Sequence, residues 1–272
     1  LIRRLLATPG AIAGFAVVAL MVLIALAAPL LAAHDPLQQN LAAAAQPPSA
    51  AHWFGTDRLG RDLFARVVYG ARTSVVVGFV AVGLAMSAGT CIGAISGYAG
   101  GLLDTILMGV MDLMLAFPSI ILAIAITTIL GPSITNVMIA VGIVYIPQYA
   151  RLARSSVLAL KDIEYLEAAR ALGARVGRIL VQHVLPNIAA PLLVQATLGI
   201  ATAELEAAGL SYLGLGARPP APEWGAMLND ARDYWLSAPW ALVFPGVAIT
   251  TLVLGFNLLG DSLRDALDPK LR

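Results

Sequence analysis

The sequence predicts an all-α membrane protein of six transmembrane helices carrying one long polar loop, and three observations predict it. Hydrophobic residues fill 59% of the 272 positions and charged residues only 12%, with a mean hydropathy of +0.84, outside the habit of soluble domains. The apolar residues gather into stretches near the length, about 20 residues, that a helix needs to cross a hydrocarbon core of roughly 30 Å. Among these stretches lies one polar island, residues 161–187, KDIEYLEAARALGARVGRILVQHVLPN.

Six stretches qualify or nearly do. The first, 11–33, is uncharged; Arg3 and Arg4 precede it as in a signal peptide, but the apolar run is too long for one. The chain opens on leucine, so residues ahead of Leu1 are expected. The others are 74–98, 103–130, 134–152, 188–210 and 240–259. Lys and Arg orient them: with both termini and the 161–187 island inside, only Arg58, Arg61, Arg66, Arg72, Arg218 and Arg232 of the 17 fall outside. The expected organisation is an N-terminal end with the first span (1–33), an extracytoplasmic loop with an interfacial helix (34–73), and a five-helix core (74–272) in the cytoplasmic membrane.

The island reads as two short helices. Asp162 is a candidate N-cap, and Glu164 sits in the first turn, where negative charge is best tolerated. Ala168-Ala169-Arg170-Ala171-Leu172 favours helix, and Gly173 supplies a left-handed residue to end it. A second segment, 175–184, is expected to stop near Pro186, which suits the first turn of the next helix.

Glu167-Ala168-Ala169, then Gly173, then Leu185-Pro186 resembles the EAA loop of bacterial ABC importer permeases, E-A-A-x3-G-x9-I-x-L-P, with His183 standing where the family often has isoleucine. The resemblance implies a cytoplasmic coupling helix seated in a groove of an ATPase subunit, made by Glu167, Ala168, Ala169, Arg170, Gly173, Leu185 and Pro186, with Glu164 in the same helix. An alanine surface ended by glycine suits close approach of another backbone, and Glu167 with Arg170 offers orienting charge.

Further segments resemble the C-type subunits of the dipeptide, oligopeptide and nickel permease branch. They are His52-Trp53-Phe54-Gly55-Thr56-Asp57 with Gly60-Arg61-Asp62, then 111–118 (MDLMLAFP), 210–216 (LSYLGLG), 257–261 (NLLGD) and 263–269 (LRDALDP). This implies half of a translocation pore for dipeptides or oligopeptides, with nickel chelates and glutathione as alternatives. It also implies a second, B-type permease, one or two cytoplasmic ATPases holding ATP and Mg, and an extracytoplasmic binding protein. No cofactor is expected on this chain, since neither Lys161 nor Lys270 lies in a glycine-rich phosphate loop and no HExxH, CxxC or Ser/His/Asp grouping occurs. A net charge of +1 gives no reason to expect nucleic acid. The competing class is a secondary transporter driven by an ion gradient through its buried acids; the island and the lack of an inverted-repeat signature count against it.

Within the spans, Ala81, Ala85, Gly89, Gly93 and Gly97 recur every four residues, a stripe that lets helices pack backbone to backbone. It serves either packing inside the subunit or contact with a second permease. Asp112, Glu204 and Glu206 are ionisable groups inside spans and are candidates for the translocation pathway. Hydrogen bonding to nearby backbone or Arg is an equal reading for each. Glu204 and Glu206, two apart, cannot share a helix face. Pro118 should kink the third span.

The remaining features read as structural. Gly55 and Gly60 permit tight turns, Asp57 and Asp62 satisfy local amides, and no further ligands at suitable spacing make a metal pair of them. Residues 61–72 read as basic and amphipathic, resting at the interface with Trp53, Phe54 and Phe64. The 211–239 loop is expected to be stiffened by its prolines and anchored in the interface by Trp224 and Trp235. Cys91, the lone cysteine, is expected to be buried packing.

Overall fold

The computed structural model describes residues 8–161, 163–166 and 172–267. Its main helices are α1 (Pro9–Leu31), α2 (Leu63–Ala99), α3 (Gly101–Leu115), α4 (Ser119–Leu130), α5 (Ile134–Leu160), α6 (Val176–Tyr212), α7 (Trp224–Ala231) and α8 (Trp240–Leu267). No strand occurs among the described residues. By length and composition α1, α2, α6 and α8 are able to cross a membrane, and α3 with α4 make a fifth crossing if that bent pair is one span. The fourth expected span, 134–152, corresponds to α5, which is long enough at 27 residues but diluted by Asn136, Pro147, Gln148 and Arg151.

Helix ends differ from the hydropathy boundaries wherever a cap or a proline sets them. The expected interfacial helix at 61–72 and the span at 74–98 are one helix of 37 residues, because Asp62 caps it, its Oδ2 accepting the Ala65 N–H at 2.7 Å. Pro118 does more than kink the third span. It has no N–H to donate and it disfavours helical backbone at Phe117, so α3 and α4 meet at 94°. The helix expected to stop near Pro186 does not stop: α6 continues through it, with residues Ile179–Val184 in wide π turns that end two residues before the proline. Within the 211–239 loop stands a short helix, α7, capped by the Glu223 carboxylate on the Gly225 and Ala226 amides.

The bundle is built on the seam between α2 and α5. A Cβ added at Gly89 would lie 2.6 Å from the Ile146 carbonyl oxygen and from Tyr149 Cβ, and one at Gly93 would overlap the Ala150 carbonyl oxygen. At Gly97 the corresponding approach is 3.0 Å to the Arg154 carbonyl. Ala81 and Ala85, both buried, continue the same face. The stripe is therefore filled from within the chain. Cys91, off this face, is exposed and not buried packing.

Outside the bundle, the loop after α1 is fastened by charge. Asp57 accepts the backbone N–H groups of Leu59 and Arg61 through Oδ1 (2.9 and 3.0 Å) and the Arg61 guanidinium through Oδ2 (2.6 Å). Arg61 also reaches Asp230, and Arg66 donates to the Pro36 and Pro220 carbonyls. Both arginines are 2% exposed, so the basic face expected at the membrane interface points inward instead. Trp224 is likewise buried, its Nε1–H donating to the Val67 carbonyl at 2.9 Å, while Trp235 is exposed. Phe54 stacks on Phe244 with centroids 3.9 Å apart.

Gly93→Leu is expected to lower the thermal midpoint of the detergent-solubilised chain sharply, because overpacking costs about 1–3 kcal/mol or more and here meets backbone. Gly109→Ala, where a Cβ meets nothing within 4 Å, should be neutral or stabilising by up to about 1 kcal/mol. Equal midpoints for the two variants would contradict the seam.

Candidate functional site

The polar island lies at the foot of α6, and its described residues form a shelf held from beneath. Residues 164–166 are helical, with the Leu166 amide closing on the Ile163 carbonyl. Leu166 is fully buried and shares a core with Ile179, Val184 and Ile188. Tyr165 packs edge-on to His183, centroids 6.2 Å apart, and its hydroxyl accepts from Asn187. His183, where the EAA pattern has isoleucine, thus joins the shelf to α6. Gly173 has φ +81°, the left-handed residue the sequence called for, with open space around it.

The outer surface of the shelf is polar and apolar by turns. Glu164, Arg175 and Arg178 are exposed, and so are Ile163, Leu172 and Val176, with Leu172 at 89%. Leu185 is half-buried and Pro186 exposed. Glu167, Ala168, Ala169 and Arg170 lie outside the described residues, as does the expected cap Asp162.

The three intramembrane carboxylates lie in three different settings. Asp112, on α3, pairs with Arg151 of α5 at 2.6 Å, both side chains more than half exposed. Nearby Asp104 and Arg154 form a bidentate pair at 2.5 and 2.6 Å, so two Asp–Arg pairs hold α3 against the end of α5 nearest the shelf. Glu204, on α6, is 2% exposed, and its Oε2 has no hydrogen-bond partner among the described residues; Ser74 Oγ of α2 is in the same state. Glu206 is half-buried, and its Oε1 accepts the Ser119 hydroxyl at 2.6 Å, at the first residue of α4 beyond the Pro118 bend. The two glutamates face apart, as their spacing requires.

Outside the bundle, burial pushes the Glu223 carboxyl up from its ordinary range, opposed by the Gly225 and Ala226 amides. Sequence spacing missed one grouping altogether: His34, 18 residues before His52, lies beside His52 and Asp62. The only sequence signal was the histidine itself.

Comparison with known proteins fits this geometry. Residues 89–272 match the family of binding-protein-dependent transport system inner membrane components, and residues 1–48 match the N-terminal TM domain of oligopeptide transport permease C. The chain belongs to this permease family. The permease is 53% identical over 262 residues to the dipeptide transport system permease protein DppC of Alkalihalophilus pseudofirmus, covering 96% of this chain and 86% of that one. It is 45% identical to DppC of Haemophilus influenzae (97% and 91% covered). It is 49% identical to the glutathione transport system permease protein GsiD of Pectobacterium atrosepticum (83% and 75%). A solved structure of the MetNI methionine ABC transporter, inward facing, superposes with a TM-score of 0.61 at 20% identity, over 76% of this chain and 98% of that one. At that identity the likeness speaks of fold alone. The permease is thus a multi-pass inner-membrane component of an ABC importer.

In the permease, Leu166 is the residue that holds the shelf down. Leu166→Ala is expected to cost about 2–5 kcal/mol at that site and to speed protease cleavage between residues 161 and 187. Leu172→Ala, at an exposed position, should leave the cleavage rate unchanged.

Proposed function

We propose that this chain forms one half of a pore that carries dipeptides into the cell, driven by ATPase subunits docked on the 161–187 shelf. The observation that carries the reading is the continuity of α6. One helix of 37 residues, about 55 Å at 1.5 Å per residue, begins beside the shelf and bears Glu204 and Glu206 toward its other end. Force applied at the shelf enters α6 through Leu166, Ile179 and Val184 and reaches the carboxylates along one continuous helix. The names of the relatives supply the substrate class, and their permease character supplies the dependence on separate ATPase, second permease and binding-protein subunits. ATP and Mg then belong to the ATPase subunits. The Lys and Arg bias supports termini on the shelf side, inside the cell.

Of the candidate carboxylates, Glu206 is the better partner for a substrate ammonium group. Both glutamates have a buried Oε2 without a partner among the described residues, but Glu206 is only half-buried whereas Glu204 is 2% exposed. Exchanging the Ser119 hydrogen bond for the peptide's amino terminus would keep the carboxylate paired throughout.

Two experiments test the reading in proteoliposomes containing the assembled importer. Gly173→Val puts a β-branched residue at φ +81°, at a cost of about 1–2 kcal/mol, and is expected to leave ATP hydrolysis running while uptake falls at least tenfold; Gly173→Asn should retain uptake. Normal uptake by the Val variant would remove the shelf from the mechanism. Glu206→Gln is expected to impair uptake of dipeptides with a free amino group more than of N-acetylated ones. Equal effects on both would leave Glu206 a structural cap of α4.

A further inference from the structure

We propose that the loop between α1 and α2 holds a divalent transition-metal ion, Zn2+ by the chemistry of its donors, between His34, His52 and Asp62. The three side chains come from separate places: His34 lies just past the end of α1, His52 in the middle of the loop, and Asp62 caps α2. Their ligand atoms all fall within 4.8 Å of one another. His52 Nδ1 lies 2.8 Å and His34 Nδ1 3.9 Å from the same oxygen, Asp62 Oδ1, and the two imidazole rings are 4.9 Å apart.

Hydrogen bonding explains only half of this arrangement. The His52–Asp62 contact is a hydrogen bond; the 3.9 Å approach of His34 is past hydrogen-bond range, yet it presents the same ring nitrogen to the same oxygen. A tetrahedral zinc with bonds of about 2.0–2.2 Å sets its ligand atoms roughly 3.3–3.5 Å apart, between the two observed spacings. The half-exposed His34, at 44% against 4% for Asp62, is free to close the difference by rotation. The carboxylate is already oriented from behind, since its Oδ2 accepts the Ala65 amide, which is how a ligating carboxylate is usually held. Beside the cluster is a cavity of about 170 Å3 also lined by Asp35, Gln38 and Asn40, which leaves a fourth position open to water or another oxygen.

Two imidazoles and a carboxylate with an open position suit zinc, and suit calcium or magnesium poorly. The ion would tie the end of the N-terminal span to the first turn of α2. His52 and Asp62 lie in the stretch, 49–88, that neither family match covers.

The test uses the full chain with a tag free of histidine, in lipid nanodiscs, titrated with Co2+ and then competed with Zn2+. One Co2+ per chain with the visible absorption of a tetrahedral site, displaced stoichiometrically by Zn2+ and not by Mg2+, is the expected result. His34→Ala should weaken binding by at least about tenfold and abolish the tetrahedral bands, because losing a direct ligand costs no less than losing a supporting one. His52→Ala serves as the second variant, with the metal-free thermal midpoint of each reporting its folding. Absence of saturable binding in the unmodified chain, or an affinity in both folded variants equal to that of the unmodified chain, overturns the site and leaves the cluster a hydrogen-bonded support for the α2 cap.

Discussion

The closeness of α2 to α5 is the constraint on which the other elements depend. Inside a bilayer, lipid tails are as apolar as leucine, so helices gain little from hiding side chains from one another and must gain from contact and from polar pairs. Gly89, Gly93 and Gly97 let the two backbones touch, which multiplies dispersion contacts and fixes the rotation of α5 about its axis. That rotation points Arg151 and Arg154 at Asp112 and Asp104, and so sets α3. With α3 held and Pro118 turning the chain through 94°, Ser119 arrives against Glu206 on α6. The Glu206 carboxylate is thus positioned, at three removes, by glycines on α2 that do not touch it.

A second constraint operates outside the hydrocarbon. Asp57, Arg61 and Arg66 are all nearly buried, and removing one partner from such a set costs about 3–5 kcal/mol because the rest is left charged and enclosed. The set adds little net stability over an apolar core of equal volume. It instead ties three chain segments in one register: the loop after α1 through Pro36, the start of α2, and the α6–α7 region through Pro220 and Asp230.

What the sequence disclosed, and what it hid, follows from the range of each interaction. The uncharged run of α1, the period-four stripe in α2 and the left-handed Gly173 are all local, and local pattern was enough to read them. The inward turn of Arg61 and Arg66 was not, because their partners Asp230 and Pro220 lie 169 and 154 positions away. An amphipathic face says that two sides differ, without saying which side is covered. Trp224 was misread for the same reason: its partner, the Val67 carbonyl, is 157 positions away. Span ends were misjudged where hydropathy fades but hydrogen bonding continues, as in the extension of α5 to Leu160 and α8 to Leu267. His34 had no pattern at all until the fold brought it to His52.

The foot of α6 has the mechanical properties that a coupling element needs. Pro186 denies the Gln182 carbonyl its ordinary helical donor, and the wide turns of Ile179–Val184 absorb that defect without breaking the rod. Such a turn is softer than regular helix, so bending concentrates there, next to the shelf and ahead of the run that bears Glu204 and Glu206. Ile179 and Val184 within it are buried beside Leu166, while Val181 and Gln182 face out. In the proposed coupling, a partner pressing on the outer surface would act on a soft joint whose inner side is locked to the core. Displacement would then be delivered as tilt of α6 instead of unwinding, and such tilt would change the separation between Glu206 and Ser119 at the Pro118 bend.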